Sequence, residues 1–206
     1  MAALDRLYPV NLALSGRRCV VVGGGQVAAR KAASLLDAGA EVTVVAPEIS
    51  DEIRALPVAV LERDYRTGDL DGAWLAIAAT DSPAVNRAVD ADGRDARVWV
   101  NAADDPEACS FTLPAVVRRG PVTVAVSTAG HSPALAAWLR ERIAAELGPE
   151  VAGLAELLSE AREELKAAGR STEDVDWRQA LDSDMLDLIR KGQMAQARER
   201  LQACLS

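Results

Sequence analysis

The stretch VVVGGGQVAARK, Val20 to Lys31, constrains this chain more than any other. RRCVVV, Arg17 to Val22, reads as a buried strand whose apolar end meets three glycines, and a segment with helical spacing follows from Gly25 to Ala38. Inside it lies the pattern G-x-G-x-x-A at Gly23, Gly25 and Ala28. Each position has a steric reason. Gly23 permits a tight turn, Gly25 lets the backbone approach a pyrophosphate with no Cβ in the way, and Ala28 keeps the helix close to the strand. The amides that open the helix, at Gln26 and Val27, then offer free N–H groups and a positive dipole end to phosphates. A glycine triplet alone also fits an α/β turn that binds nothing. The flanking strand and helix, with another strand about 20 residues on, supply the context that favours a dinucleotide.

The chain continues in the rhythm that such a loop requires. Gly39 stops the first helix, and EVTVVA (Glu41 to Ala46) reads as a second strand ended by Pro47. A short helix is expected from Glu48 to Leu56 and a third strand from Val58 to Arg63. AWLAIAA (Ala73 to Ala79) is apolar throughout, as strands covered on both faces are, and Pro83 suits the first turn of a helix reaching Gly93. RVWVNA (Arg97 to Ala102) is a fifth strand. Alternating strands and helices predict a parallel α/β sheet of the Rossmann type. Trp74 and Trp99 fall in these strands and read as packing residues.

After Asp105-Pro106 the rhythm changes. Two strand-like runs surround Arg118-Arg119-Gly120-Pro121, and SPALAAWLRERIAAEL (Ser132 to Leu147) reads as a helix with Ser132 as N-cap and Pro133 first. From Glu150 the chain is helical, with Val151, Leu154, Leu157, Leu158 and Leu165 in one apolar stripe, a break at Gly169, a capping signature at Ser171 or Thr172, and a last helix over Gln193 to Leu205. The expected domains are 1–112, dinucleotide-binding; 113–148, a small strand–helix segment; and 149–206, a helical C-terminal region.

Composition narrows the partners. A net charge of -8 and 3% aromatics argue against nucleic acid. No apolar run approaches the ~18 residues of a membrane span, and the amino terminus does not read as a signal peptide. Three scattered cysteines with no C-x-x-C pair suit reduced thiols in the cytoplasm rather than a zinc site. Where an acidic residue would hold the adenosine ribose, the chain has Ala46-Pro47 with Glu48 just past it, and no Arg or Lys to receive a 2′-phosphate. NAD is therefore expected over NADP.

Three stretches behind the glycine loop narrow the family: AWLAIAATDSPAVN (Ala73 to Asn86), VNAADDPEACSFTLPAVV (Val100 to Val117) and VAVSTAGHSPALAAWLRE (Val124 to Glu141). Together, in this order, they resemble the precorrin-2 dehydrogenase/sirohydrochlorin ferrochelatase family, which includes the amino-terminal half of siroheme synthase. The resemblance covers residues 8 to 147. It implies a Rossmann-type domain, a dimerisation segment over 113–148 and a helical end, in an intertwined homodimer whose active site gathers residues from both regions. It implies NAD-dependent oxidation of precorrin-2 to sirohydrochlorin, with insertion of ferrous iron as a second reaction of many members. The tail from Glu150 is too short for the methyltransferase domain of fused siroheme synthases, so precorrin-2 is expected from elsewhere.

The resemblance also assigns residues. Asp104 matches the family's proposed catalytic aspartate; a base there would accept protons shed on oxidation or on metal insertion, although Asp104 or Asp105 could equally form the turn before Pro106. Gln26 and Val27 fall at the dinucleotide backbone, Pro47 and Glu48 at its adenosine end, and Thr80, Asp81 and Asn101 at strand ends facing the cofactor. Thr80 and Asp81 alternatively cap the helix at Pro83. In STAGHSP, Ser127, Thr128, Gly130 and His131 precede a helix N-terminus suited to a substrate carboxylate, or simply cap it. His131 also reads as an exposed loop histidine. Arg118, Arg119, Arg140 and Arg142 are candidate cations for a substrate rich in carboxylates. One histidine among scattered cysteines gives no protein metal site, so iron would be bound by the tetrapyrrole nitrogens. Two other readings remain: a tetrapyrrole-binding chelatase without dehydrogenation, and an NAD-responsive regulatory domain.

Overall fold

The computed structural model describes residues 7–103 and 109–205. The chain divides into two compact units, with the boundary between Leu113 and Pro114.

The first unit is a sheet of β1 (Arg18–Val22), β2 (Glu41–Ala46), β3 (Ala59–Glu62), β4 (Leu75–Ala78) and β5 (Trp99–Ala102), interleaved with α1 (Gln26–Asp37), α2 (Asp51–Arg54) and α3 (Pro83–Ala96). All four pairings are parallel, in the order β3-β2-β1-β4-β5. Alternate side chains of a strand point to opposite faces. Cys19 and Val21 therefore join Ala28, Ala32 and Leu35 of α1 and Ile53 of α2, while Val20 and Val22 join Val89 of α3 and Leu70 from the turn before β4. That double burial is why β1 is apolar without a break from Cys19 to Val22.

Helix ends follow local chemistry. Gly39 takes φ 77°, and the amides of Gly39 and Ala40 bond back to Leu36 and Leu35 at 2.8 and 3.0 Å, closing α1 as expected. α2 is a single turn rather than the expected span of 48–56. Its upstream residues are held by the glycine loop, since Ser50 N donates to the Gly24 carbonyl at 2.9 Å. α3 does not stop at Gly93 but runs to Ala96 and closes on Arg97 in the left-handed region, φ 57°. Gly93 is buried, and a Cβ there would overlap Val100 Cγ2. Its smallness serves the approach of α3 to β5, not termination.

The two tryptophans correct the packing expectation. Trp74 is 50% exposed and Trp99 51%. Trp74 precedes β4 and lies under the Arg17 guanidinium, 3.8 Å from its ring centroid; Trp99 opens β5, an edge strand.

The second unit holds an antiparallel hairpin of β6 (Ala115–Arg119) and β7 (Val122–Val126), then α4 (Pro133–Glu146), α5 (Glu150–Ala167), α6 (Trp177–Leu181), α7 (Met185–Arg190) and α8 (Met194–Leu205). The two-residue turn is Gly120-Pro121. Gly120 has φ 55° while the proline ring keeps its own φ negative, the combination of a type II′ hairpin. Leu157, Ala161 and Leu165 of α5 meet Ala180, Met185, Ala197 and Leu201 in a separate core. The capping expected at Ser171 or Thr172 moves downstream. Trp177 Nε1 donates to the Thr172 carbonyl at 2.8 Å, fixing that turn, and Asp176 caps α6 by accepting from Gln179 N at 3.1 Å. Among the described residues, no helix is long and apolar enough to cross a membrane.

Candidate functional site

The strand order reverses between β1 and β4, and the carboxyl ends of those strands flank the crevice where open α/β sheets bind ligands. The three glycines stand there with different tasks. Gly23, at φ 131°, donates to the Val45 carbonyl at 2.9 Å; a Cβ would overlap the Ala79 carbonyl oxygen and lie 3.4 Å from Thr80 N. A Cβ on Gly24 would overlap the Glu48 carbonyl oxygen, a close approach that the sequence pattern did not single out. Gly25 is the N-cap of α1 with extended backbone, and nothing lies within 4 Å of where its Cβ would be.

Two glycines thus pack against the protein, and the third faces open space. The first four amides of a helix have no intrahelical partner, which here leaves Gly25 to Ala28. Gln26 is exposed and Val27 is 39% exposed, while Ala28 is buried against the sheet. Backbone donors, the helix dipole and an unfilled Cβ position form a cradle that fits the pyrophosphate of a dinucleotide. Pro47 and Glu48 lie exposed just past β2.

Thr80 is tied into the protein. Its hydroxyl donates to Asn86 Oδ1 at 2.8 Å and accepts from Ser82 N at 3.1 Å, and its carbonyl accepts from Asn86 Nδ2 at 3.0 Å. Ser82 caps α3 by accepting from Val85 N at 3.4 Å, so the capping role suggested for Thr80 or the exposed Asp81 belongs to Ser82. Asn86 is absent from the sequence-predicted site. Its signal was a polar residue on the same helical face as Val89 and Gly93.

At the end of β5, Asn101 donates from Nδ2 to the Phe111 carbonyl at 3.0 Å. Cys109 Sγ accepts from Ala102 N and donates to the Ala102 carbonyl, both at 3.3 Å. The chain therefore returns beside β5 immediately after residues 104–108. Asp104, the expected base, and Asp105 lie outside the described residues.

In the second unit, Thr128 Oγ1 accepts from Ser132 N at 3.2 Å and donates to the Ser132 carbonyl at 3.0 Å, and Ser127 Oγ accepts from Ala129 N at 3.2 Å. Ser132 caps α4 by accepting from Leu135 N at 3.1 Å, with Pro133 first, as expected. Ala129 and Gly130 both take positive φ, 50° and 81°; for alanine this is strained backbone. His131 is exposed, and its amide donates to the Thr128 carbonyl at 2.9 Å. Of the candidate cations, Arg119 is committed elsewhere: Nε donates to the Leu147 carbonyl at 2.7 Å and Nη2 to Ala144 at 3.0 Å, closing the end of α4. Arg140 pairs with Glu141 at 2.9 Å, Arg142 lies over Trp138 at 5.0 Å, and Arg118 is exposed. No group of three or more His, Cys, Asp or Glu placed to hold a metal occurs among the described residues.

The family model described as "Putative NAD(P)-binding" matches residues 10–115, just over half of the chain, and one described as "Sirohaem biosynthesis protein central" matches 119–146. The chain belongs to this NAD(P)-binding family, in the branch that forms the amino-terminal half of siroheme synthases. It is 40% identical over 199 residues to siroheme synthase of Azotobacter vinelandii, covering 94% of this chain and 43% of that protein. It is 37% identical over 198 residues to siroheme synthase 3 of Aeromonas hydrophila, covering 93% and 42%. The chain thus spans less than half the length of these siroheme synthases. Among solved structures it resembles SirC, a precorrin-2 dehydrogenase, with TM-score 0.71 and 28% identity over 96% of this chain and 98% of that one. Family and fold together support a nicotinamide cofactor.

Proposed function

We propose that this chain is an NAD-dependent dehydrogenase that oxidises precorrin-2 to sirohydrochlorin. The observation that carries the reading is the open cradle at Gly25 in a chain that matches a solved precorrin-2 dehydrogenase along nearly its whole length. Bound coenzyme supplies the hydride acceptor. The chain's own groups do the rest. The amides at Gly25 to Val27 hold the pyrophosphate, with Pro47 and Glu48 at the adenosine end and Thr80, Asp81 and Asn101 toward the nicotinamide. Asp104 takes the proton that precorrin-2 loses with its hydride. Ser127, Thr128, Gly130 and His131 receive substrate carboxylates at the opening of α4. The exposed Glu48 and the lack of an adjacent cation in Ala46-Pro47-Glu48 favour NAD over NADP.

Two further features of this reading have support. α4 leaves Leu135 and Trp138 exposed, and a two-stranded hairpin is marginal by itself, so a second copy of the chain is the natural cover and the protein acts as a homodimer. Among the described residues no two cysteines are joined in a disulfide, which suits a reducing cytoplasm.

The test is spectral. Purified chain given precorrin-2 and NAD develops sirohydrochlorin absorbance, and Asp104→Ala abolishes it while keeping NADH binding. No turnover with coenzyme bound and substrate verified overturns the activity, and a normal rate in Asp104→Ala overturns the base. Ferrous iron added anaerobically to the same cuvette reads whether the chain also inserts iron.

A further inference from the structure

Asn86 lies on the inward face of α3 and is 6% exposed. A buried carboxamide needs partners for its oxygen and its amide. Asn86 finds them on one residue. Oδ1 accepts from Thr80 Oγ1 at 2.8 Å and from Thr80 N at 3.4 Å, and Nδ2 donates to the Thr80 carbonyl at 3.0 Å. The side chain grips both backbone groups of Thr80, as a neighbouring strand would, just where β4 has ended. The hydroxyl is drawn into the same grip, because its contact with Asn86 is shorter than the 3.2 Å to the Ser82 carbonyl.

The other side of that peptide is the glycine loop. A Cβ on Gly23 would overlap the Ala79 carbonyl oxygen and lie 2.8 Å from its carbon and 3.4 Å from Thr80 N. Ala79 N donates to the Val22 carbonyl at 2.7 Å, one residue before the turn. The Ala79–Thr80 peptide is therefore sandwiched between Gly23 and Asn86, and a displacement of one passes to the other.

We propose that Asn86 is a positioning residue of the coenzyme site: through Thr80 it fixes the peptide on which the Gly23 turn rests, and so the placement of the Gly25 to Val27 amides. This rests on the coenzyme reading above. Aspartate at this position sets a carboxylate against the Thr80 carbonyl, and serine is too short to reach both backbone groups. Either change releases the peptide without introducing bulk.

The experiment is NADH titration of the full chain by fluorescence, with Asn86→Asp, Asn86→Ser and, as a control, Ser82→Ala. The control removes the cap of the same helix but leaves the Asn86–Thr80 bonds. Both Asn86 variants bind NADH about tenfold more weakly and raise KM for NAD, with kcat within about twofold of wild type. Ser82→Ala lowers Tm with NADH affinity unchanged. Wild-type affinity in Asn86→Asp overturns the inference. So does an equal loss in Ser82→Ala, because helix stability alone would then explain it. If the Asn86 variants do not fold, hydrogen exchange at the Thr80 amide of the wild-type chain is followed with and without NADH; slowed exchange with NADH is expected, and exchange that NADH leaves unchanged overturns it likewise. A wild-type chain that binds no NADH removes the coenzyme reading itself, and this inference with it.

Discussion

Ser110 holds Val100 by both of its polar groups. Its amide donates to the Val100 carbonyl at 2.8 Å, and its hydroxyl accepts from the Val100 amide at 2.6 Å and reaches the same carbonyl at 3.0 Å. Val100 is a residue of the edge strand whose backbone groups point away from the sheet, and Cys109 does the same for Ala102. Two side chains thus satisfy an edge that would otherwise stand open. Ser110→Ala strips the Val100 amide of its partner and is expected to cost about 1–3 kcal/mol. A denaturant midpoint unchanged from wild type would show that the hydroxyl contributes nothing there.

The two later glycines of the loop make opposite predictions. Gly24→Ala drives a methyl into the Glu48 carbonyl, so the protein is destabilised whether or not coenzyme is present. Gly25→Ala meets no protein atom, and stability stays within about 1 kcal/mol of wild type, the scale of an N-cap change. Its affinity for NADH is expected to fall by at least about tenfold, because on the proposed reading the methyl stands where the pyrophosphate would bind. Calorimetry of both variants with and without NADH separates the two; tight binding by Gly25→Ala would move the phosphates elsewhere.

On the function proposed above, Glu48 sets the coenzyme preference. A carboxylate near the adenosine ribose accepts hydrogen bonds from a free 2′-hydroxyl and repels a 2′-phosphate. NADH is expected to bind at least about tenfold more tightly than NADPH, with Glu48→Ala narrowing that ratio. Parallel titrations decide it, and equal affinities in the wild-type chain would place the ribose away from Glu48.

The helical unit carries an acid-sensitive anchor. Glu150 opens α5, is 8% exposed, and accepts from Arg190 Nε and Nη2 at 3.0 and 2.6 Å. The amide at its own position and the Arg190 guanidinium hold its carboxyl below the ordinary glutamate range. A folded value below the unfolded one means that the stabilisation is complete above the ordinary range and is lost as pH falls through the folded value. Thermal unfolding followed between neutral pH and about pH 3 is expected to fall more steeply in wild type than in Glu150→Gln. Superimposable profiles would remove the anchor.

The sequence exposed whatever depends on neighbours along the chain. Cys19 to Val22 of β1 and Val44 to Ala46 of β2 are apolar runs with double burial, Gly39 stops a helix by its own φ, and Ser132-Pro133 opens one by its own hydroxyl and ring. Contacts between distant residues stayed hidden. Gly93 looked like a helix stop because its packing partner, Val100, belongs to the next strand. Arg119 looked available because the carbonyls it caps lie at the far end of α4. Trp74 and Trp99 looked internal because a strand pattern shows neither that Trp74 stands just before β4, under Arg17, nor that Trp99 opens an edge strand. At the candidate site, Gly23, Gly25 and Ala28 were readable from spacing, whereas Asn86 required knowing where β4 ends against α3.

The bare backbone of Gly93 has a reach beyond its own contact. It lies two turns along α3 from Asn86, roughly 10 Å, and both seat the same stiff rod, one end on Val100 and the other on Thr80. Bulk wedged beneath the far end would tip the near one. On the proposed role of Asn86, nucleotide grip is thus open to adjustment by volume alone, two helical turns away.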